Sequence, residues 1–160
     1  MTGSTSEKQT KSKERVKKFA EVFTPQWVVN DMCDMLEKEN PNAFDPEFTF
    51  LEPACGEGVF ILEILRRKFA RCKKRAHFTT ALRSVYGFEI QADNVKITIE
   101  NVEKMCREHF KPNKEELQII SDHIIQCDGL KVMRLLSVYG DHPPQFISVF
   151  DHNTKSCMCG

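Results

Sequence analysis

The chain has no stretch of about 20 apolar residues, which excludes an α-helical membrane span. Its first 18 residues are polar and lack the apolar core of a secretory signal, so a cytoplasmic protein is expected. Seven cysteines are scattered at positions 33, 55, 72, 106, 127, 157 and 159, with no Cys-x-x-Cys pair. That spacing supports neither a zinc ribbon nor a disulfide framework. Cys157 and Cys159 are two thiols without further ligand types close by, and no metal site is expected. There is no internal repeat, and no Gly-Lys-Ser/Thr to seat a triphosphate. Net charge is zero, so no global field attracts nucleic acid.

Charge is nonetheless uneven. Residues 1–20 carry six Lys/Arg against two Glu, and residues 63–77 carry Arg66, Arg67, Lys68, Arg71, Lys73, Lys74 and Arg75 against Glu63 alone. Local excess of this kind can hold phosphate even on a neutral chain, and Arg66, Arg67, Arg71, Lys73, Lys74 and Arg75 are the candidate DNA-binding residues. The plainer reading is a solvated helix face.

At 160 residues the chain fits one domain. Residues 1–13 read as a disordered polar tail and 14–40 as a helical segment. In the latter, Thr24 suits an N-cap, Pro25 the first helical position, and Val28, Val29, Met32 and Leu36 share a face. Residues 48–151 form the main unit. Phe48–Glu52 is a strand, Val59–Phe69 a helix, Ala81–Glu89 a second strand and Ala92–His109 a helix with Val95, Ile99, Val102 and Cys106 as its stripe. Residues 115–121 are a connector or short helix. His123–Asp128 is a third strand, Gly129–Val138 a short helix with Leu130, Met133 and Leu136 apolar, and Gln145–Asp151 a fourth strand. Residues 152–160 read as a tail. Strands alternating with helices predict a parallel, doubly wound α/β sheet.

The informative stretch is Phe50-Leu51-Glu52-Pro53-Ala54-Cys55-Gly56-Glu57-Gly58-Val59-Phe60: a strand ending in an acid, a two-glycine turn, then helical spacing. In such sheets ligands bind beyond the carboxyl ends of the strands, where Glu52, Glu89 and Asp128 all fall. A glycine turn offers backbone N–H groups, and an acid after the second strand suits a pair of ribose hydroxyls. Together these fit a nucleoside better than a polyphosphate.

The ordered set Phe23-Thr24-Pro25, Glu52-Pro53-Ala54-Cys55-Gly56-Glu57-Gly58, Gly87-Phe88-Glu89 and Cys127-Asp128-Gly129 resembles the cofactor motifs of N6-adenine DNA methyltransferases of the restriction–modification type. The resemblance covers about residues 15–151. It implies a Rossmann-like fold, S-adenosylmethionine as cofactor and DNA as partner. By the same resemblance Phe23, Thr24 and Pro25 hold the methionine end, Pro53–Gly58 wraps the cofactor, Glu89 takes the ribose, Asp128 lies near the adenine amino group beside Gly129, and Ile90 packs on the adenine ring. Cys55 is then a small turn residue.

The chain departs from the family in two places. Glu52 and Glu57 replace the usual Asp and Ser/Thr of the loop. More seriously, the Asn/Asp-Pro-Pro-Tyr/Phe that follows the fourth strand and stacks on a flipped adenine is missing. Asp151-His152-Asn153-Thr154 stands there, so Asp151 and Asn153 are the only catalytic candidates. His142-Pro143-Pro144-Gln145 precedes the strand and has Gln where the aromatic belongs. The expectation is the cofactor half of a methyltransferase, truncated before its catalytic motif, or completed by a second chain or a homodimer. The competing class is a non-catalytic nucleic-acid- or protein-binding accessory subunit using the basic stretches. A dinucleotide oxidoreductase fragment fits less well, because Ile61 stands where a third glycine is needed.

Overall fold

A computed structural model describes residues 24–139, 150–151 and 156–157. Phe23, the segment 1–22, most of the expected fourth strand, His142–Gln145 and Asn153 lie outside the described residues.

The elements run α1 (Gln26–Glu39), β1 (Phe50–Glu52), α2 (Val59–Arg71), α3 (Arg75–Arg83), β2 (Val85–Glu89), α4 (Ala92–His109), α5 (Lys114–His123), β3 (Ile124–Gln126), α6 (Gly129–Tyr139), β4 (Phe150–Asp151) and β5 (Ser156–Cys157). The chain is thus α/β. Strands β1, β2 and β3 are parallel, with Glu52 opposite Gly87 and Glu89 opposite Gln126. The sheet order is β1-β2-β3-β5-β4. β5 joins β3 in parallel, but β4 runs antiparallel to β5, where a fully parallel sheet was expected. The four residues between β4 and β5 explain this. A parallel crossover needs a dozen or more, whereas a short connection returns the chain antiparallel.

Other boundaries also moved. Pro25, in extended backbone, is the N-cap residue of α1, and no side chain, Thr24 included, caps the helix. The buried stripe of α1 is Val29 and Cys33, and Met32 is exposed. Residues 75–83 form α3 rather than the start of β2. Ala81 and Leu82 are buried as part of a helix, not as alternate residues of a strand. The 115–121 segment is a proper helix, opened by a capping box in which Asn113 and Glu116 satisfy each other's backbone N–H. Among the described side chains of α6, Val132 is fully buried, while Leu130 and Met133 face solvent.

The core lies under the sheet and helices α2 to α5, around Ile61, Leu65, Phe69, Leu82, Val85, Val102, Ile120 and Ile124. α2 is the hub and packs against α1, α3 and α4. Ion pairs tie α1 to it. Arg67 reaches Glu63, Asp34 (2.6 Å) and Glu37 (2.9 Å), and Arg71 reaches Glu37 and Asp45. Arg67 is largely buried against the Phe44 ring, so these contacts exceed an ordinary surface pair. They fix the helix that Thr24 and Pro25 begin.

Candidate functional site

The three loops that leave β1, β2 and β3 meet at one edge of the sheet. Their backbones extend the ladder. Cys55 N–H donates to the Phe88 carbonyl at 2.9 Å, and Cys127 N–H to the Glu89 carbonyl at 3.0 Å. Gly56 (φ 55°) and Gly58 (φ 87°) both take left-handed backbone, which glycine adopts without a Cβ penalty. At Gly129 the reason for glycine is different: a Cβ there would sit 1.8 Å from the Pro53 carbonyl oxygen. The first turn of α6 therefore rests directly on the β1 loop.

Glu89 is the centre of this arrangement. It is buried, yet its two carboxylate oxygens accept from Gly56 N–H at 2.8 Å and Gln91 N–H at 2.7 Å. An acid from β2 thus grips the glycine loop of β1. Glu52 folds back on its own loop and accepts from Ala54 N–H at 3.1 Å. Burial raises its carboxyl above the usual range, only partly opposed by that N–H. Asp128 is half-buried and caps α6, its side chain accepting from Lys131 N–H at 3.1 Å. Ile90 is half exposed beside Glu89, and Leu130 is exposed beside Gly129. They give the acid-lined edge two apolar neighbours.

Cys55 is buried under the loop, and burial, with Glu89 and Glu52 nearby, pushes its thiol up to about 12. A thiol so raised is protonated at neutral pH, which suits a small buried turn residue. Among the described residues no cluster of His, Cys, Asp and Glu is arranged to hold a metal.

Two contributors were missed from sequence. Thr98 on α4 donates its hydroxyl to the Gly56 carbonyl at 2.9 Å, and the Asn101 amide donates to the Glu57 carbonyl at 3.3 Å. The most deeply buried residues of α4 are Asn94, Thr98, Val102 and Cys106, one position away from the Val95–Ile99 stripe that hydrophobicity alone suggests. The available signal was the i, i+4 continuation of Val102 and Cys106 into two small polar residues.

The basic run does not form an open cationic face. Arg66 pairs with Glu63, Arg67 and Arg71 pair as above, and Arg75 pairs with buried Glu116. Lys68 is fully buried, its ammonium donating to the carbonyls of Asp45, Pro46 and Phe48. Lys73 and Lys74 are exposed and form no ion pair among the described residues. The partners Asp34, Glu37, Asp45 and Glu116 are remote in sequence, so a local charge count overlooks them.

The chain matches no protein-family profile and no solved structure. Over 84 residues, 52% of its length, it is 27% identical to the Type II methyltransferase M.VspI of Vibrio sp. (strain 343). The likeness is to a methyltransferase. It is distant, and the matched part spans 17% of that relative's length. It supports a methyltransferase relationship, and the α/β architecture with its parallel β1–β3 is compatible with one. No helix among the described residues is long and apolar enough to cross a membrane.

Proposed function

We propose that this chain forms the S-adenosylmethionine-binding part of an adenine-specific DNA methyltransferase of the restriction–modification type, on a Rossmann-like sheet. The observation that carries the reading is the grip of Glu89 on the Gly56 amide, which brings the acid after β2 and the glycine loop after β1 within one hydrogen bond. The third loop touches the same turn through Gly129 and Pro53.

The residues suit the ligand. Nothing lies within 4 Å of the position a Cβ would occupy on Gly56, so the loop faces open space. The edge presents Glu52, Glu89 and Asp128, an environment that favours a cationic sulfonium and ribose hydroxyls over phosphate. When bound, S-adenosylmethionine supplies an electrophilic methyl group. The chain's own part is to hold it: Glu89 accepts from the ribose, Pro53–Gly58 curves around the ligand, Asp128 receives the adenine amino group, and Ile90 covers the ring. Phe23, Thr24 and Pro25 take the methionine end.

The Asn/Asp-Pro-Pro-Tyr/Phe motif that would accept hydrogen bonds from the target amine does not occur in the sequence. Neither Asp151 nor Asn153 is followed by Pro-Pro and a Tyr or Phe. The 160 residues alone therefore bind cofactor but transfer methyl groups to DNA weakly or not at all, and catalysis draws on a second chain or further polypeptide. The accessory-subunit reading gains nothing from the basic run, because its arginines are spent on Asp34, Glu37, Asp45, Glu63 and Glu116.

Calorimetric titration with S-adenosylmethionine and S-adenosylhomocysteine tests the proposal. Saturable binding of either is expected, and no heat at millimolar ligand refutes it. Robust incorporation of labelled methyl into unmodified DNA by the purified chain would show that the catalytic deficit has been misread.

A further inference from the structure

Helix α4 is not part of the sheet edge, yet it touches the glycine loop at three points. Thr98 is completely buried and donates to the Gly56 carbonyl, while its methyl fills the space beside Gly58, where an added Cβ would lie 2.7 Å from Thr98 Cγ2. One turn on, Asn101 donates to the Glu57 carbonyl. Two successive loop carbonyls are thus drawn back towards α4.

In a trans peptide the C=O and the following N–H point in opposite directions. Anchoring the Gly56 carbonyl therefore sets the plane of the Gly56–Glu57 peptide. Glu89 holds the same loop from the other side, through Gly56 N–H. Both peptide planes flanking Gly56 are pinned, one by β2 and one by α4. The residue between them has the glycine freedom to swing if either pin is lost.

We infer that Thr98 is a positioning residue for the ligand loop: its hydroxyl holds the Gly56–Glu57 peptide in the orientation that receives the cofactor. The inference rests on the reading of this edge as the cofactor site. It assigns the effect to the hydroxyl rather than to the bulk of the side chain, which is separable by experiment. Thr98→Val keeps the shape and removes the donor, whereas Thr98→Ser keeps the donor and removes the methyl.

The test pairs S-adenosylhomocysteine titration with hydrogen exchange on the ligand-free protein, both well below the unfolding midpoint. Thr98→Val should weaken binding at least about tenfold. It should also speed exchange of the 54–60 backbone about tenfold relative to the core of α4, while Thr98→Ser stays within about threefold of wild type. A purely structural role for Thr98 would lower the unfolding midpoint but leave the affinity of the folded protein and the loop's relative exchange unchanged. That result overturns the inference, as does Thr98→Ser being as damaging as Thr98→Val. Should Thr98→Val not fold, Asn101→Ala removes the neighbouring carbonyl contact at less cost, and unchanged affinity and loop exchange there also count against it. If wild-type protein binds neither ligand, the cofactor reading fails, and the exchange data still decide whether the hydroxyl holds the loop.

Discussion

Replacing Glu89 should damage the fold and the site together, and the size of each effect can be worked from its contacts. The carboxylate is buried and accepts two backbone N–H groups, from Gly56 at 2.8 Å and Gln91 at 2.7 Å. Hydrogen bonds to a charged group contribute about 1.5–3 kcal/mol each. Glu89→Ala loses both and leaves two amides short of acceptors. The variant is spared the cost of burying a carboxylate, and water partly replaces the lost partner. The net loss should be about 2–4 kcal/mol, a urea midpoint lower by roughly 1–2 M for a domain of this size. Glu89→Gln is nearly isosteric but offers one carbonyl oxygen, and its NH2 would face an N–H donor. It should lose about half as much stability as Glu89→Ala. Equilibrium urea unfolding by far-UV circular dichroism measures both, and titration with S-adenosylhomocysteine reads the site. The glutamine variant should bind at least about tenfold more weakly. A Glu89→Ala unfolding free energy within about 0.5 kcal/mol of wild type would refute the claim that this carboxylate organises the loop.

Glu116 gives an acid-sensitivity test. Burial pushes its carboxyl up, but the Arg75 guanidinium, Asn113 N–H and Thr79 hydroxyl outweigh that and hold it at about 2. Between pH 4.5 and 2 the unfolded chain binds a proton there that the native state does not, so stability is full above pH 4.5 and falls by up to about 3 kcal/mol as pH drops to 2. Glu116→Gln should flatten this part of the pH–stability curve, and an unchanged slope would count against the Arg75 pair. Lys68 works in the opposite range: burial lowers its ammonium to about 8. The unfolded chain then holds the extra proton between pH 8 and 10.5, so stability rises with pH across that interval. Thermal melts of Lys68→Met against wild type should show the rise disappear. Gly129→Ala places a Cβ against the Pro53 carbonyl and should cost more than about 3 kcal/mol in denaturant titrations, since the obstacle is backbone rather than a flexible side chain.

What could be read from the sequence was what is encoded locally. Strand–acid–glycine turns announce themselves over ten residues, and Glu52, Glu89 and Asp128 do fall at the carboxyl edge of three parallel strands. The α3 helix was hidden because only Arg83 and Ser84, with no glycine or proline, separate buried Ala81 and Leu82 from the apolar start of β2. The state of the basic run was illegible for a different reason. Whether an arginine is free depends on acids thirty or more residues away, as in Arg67 with Asp34 and Arg75 with Glu116. Thr98 escaped notice because a polar residue in mid-helix reads as solvent-facing unless one knows that a loop carbonyl waits beneath it.

These two kinds of miss bear on function in opposite ways. The arginines turned out to be paired within the fold, Arg67 and Arg71 docking α1 onto α2, Arg66 held by Glu63 in its own helix and Arg75 by Glu116 of α5, which withdraws charge that a nucleic-acid backbone would need. The polar residues of α4 turned out to serve the glycine loop, which adds constraint where a small ligand would sit. Affinity for a compact cofactor depends on a loop held in shape before the ligand arrives, because ordering it afterwards subtracts from binding. A loop fixed by Glu89 on one side and Thr98 on the other meets that requirement. The paired arginines leave Lys73 and Lys74 as the part of the basic run free to meet phosphate. On the proposed reading, this pre-set loop is what the chain contributes to cofactor binding, and the arginines of α2 and α3 contribute to the fold instead.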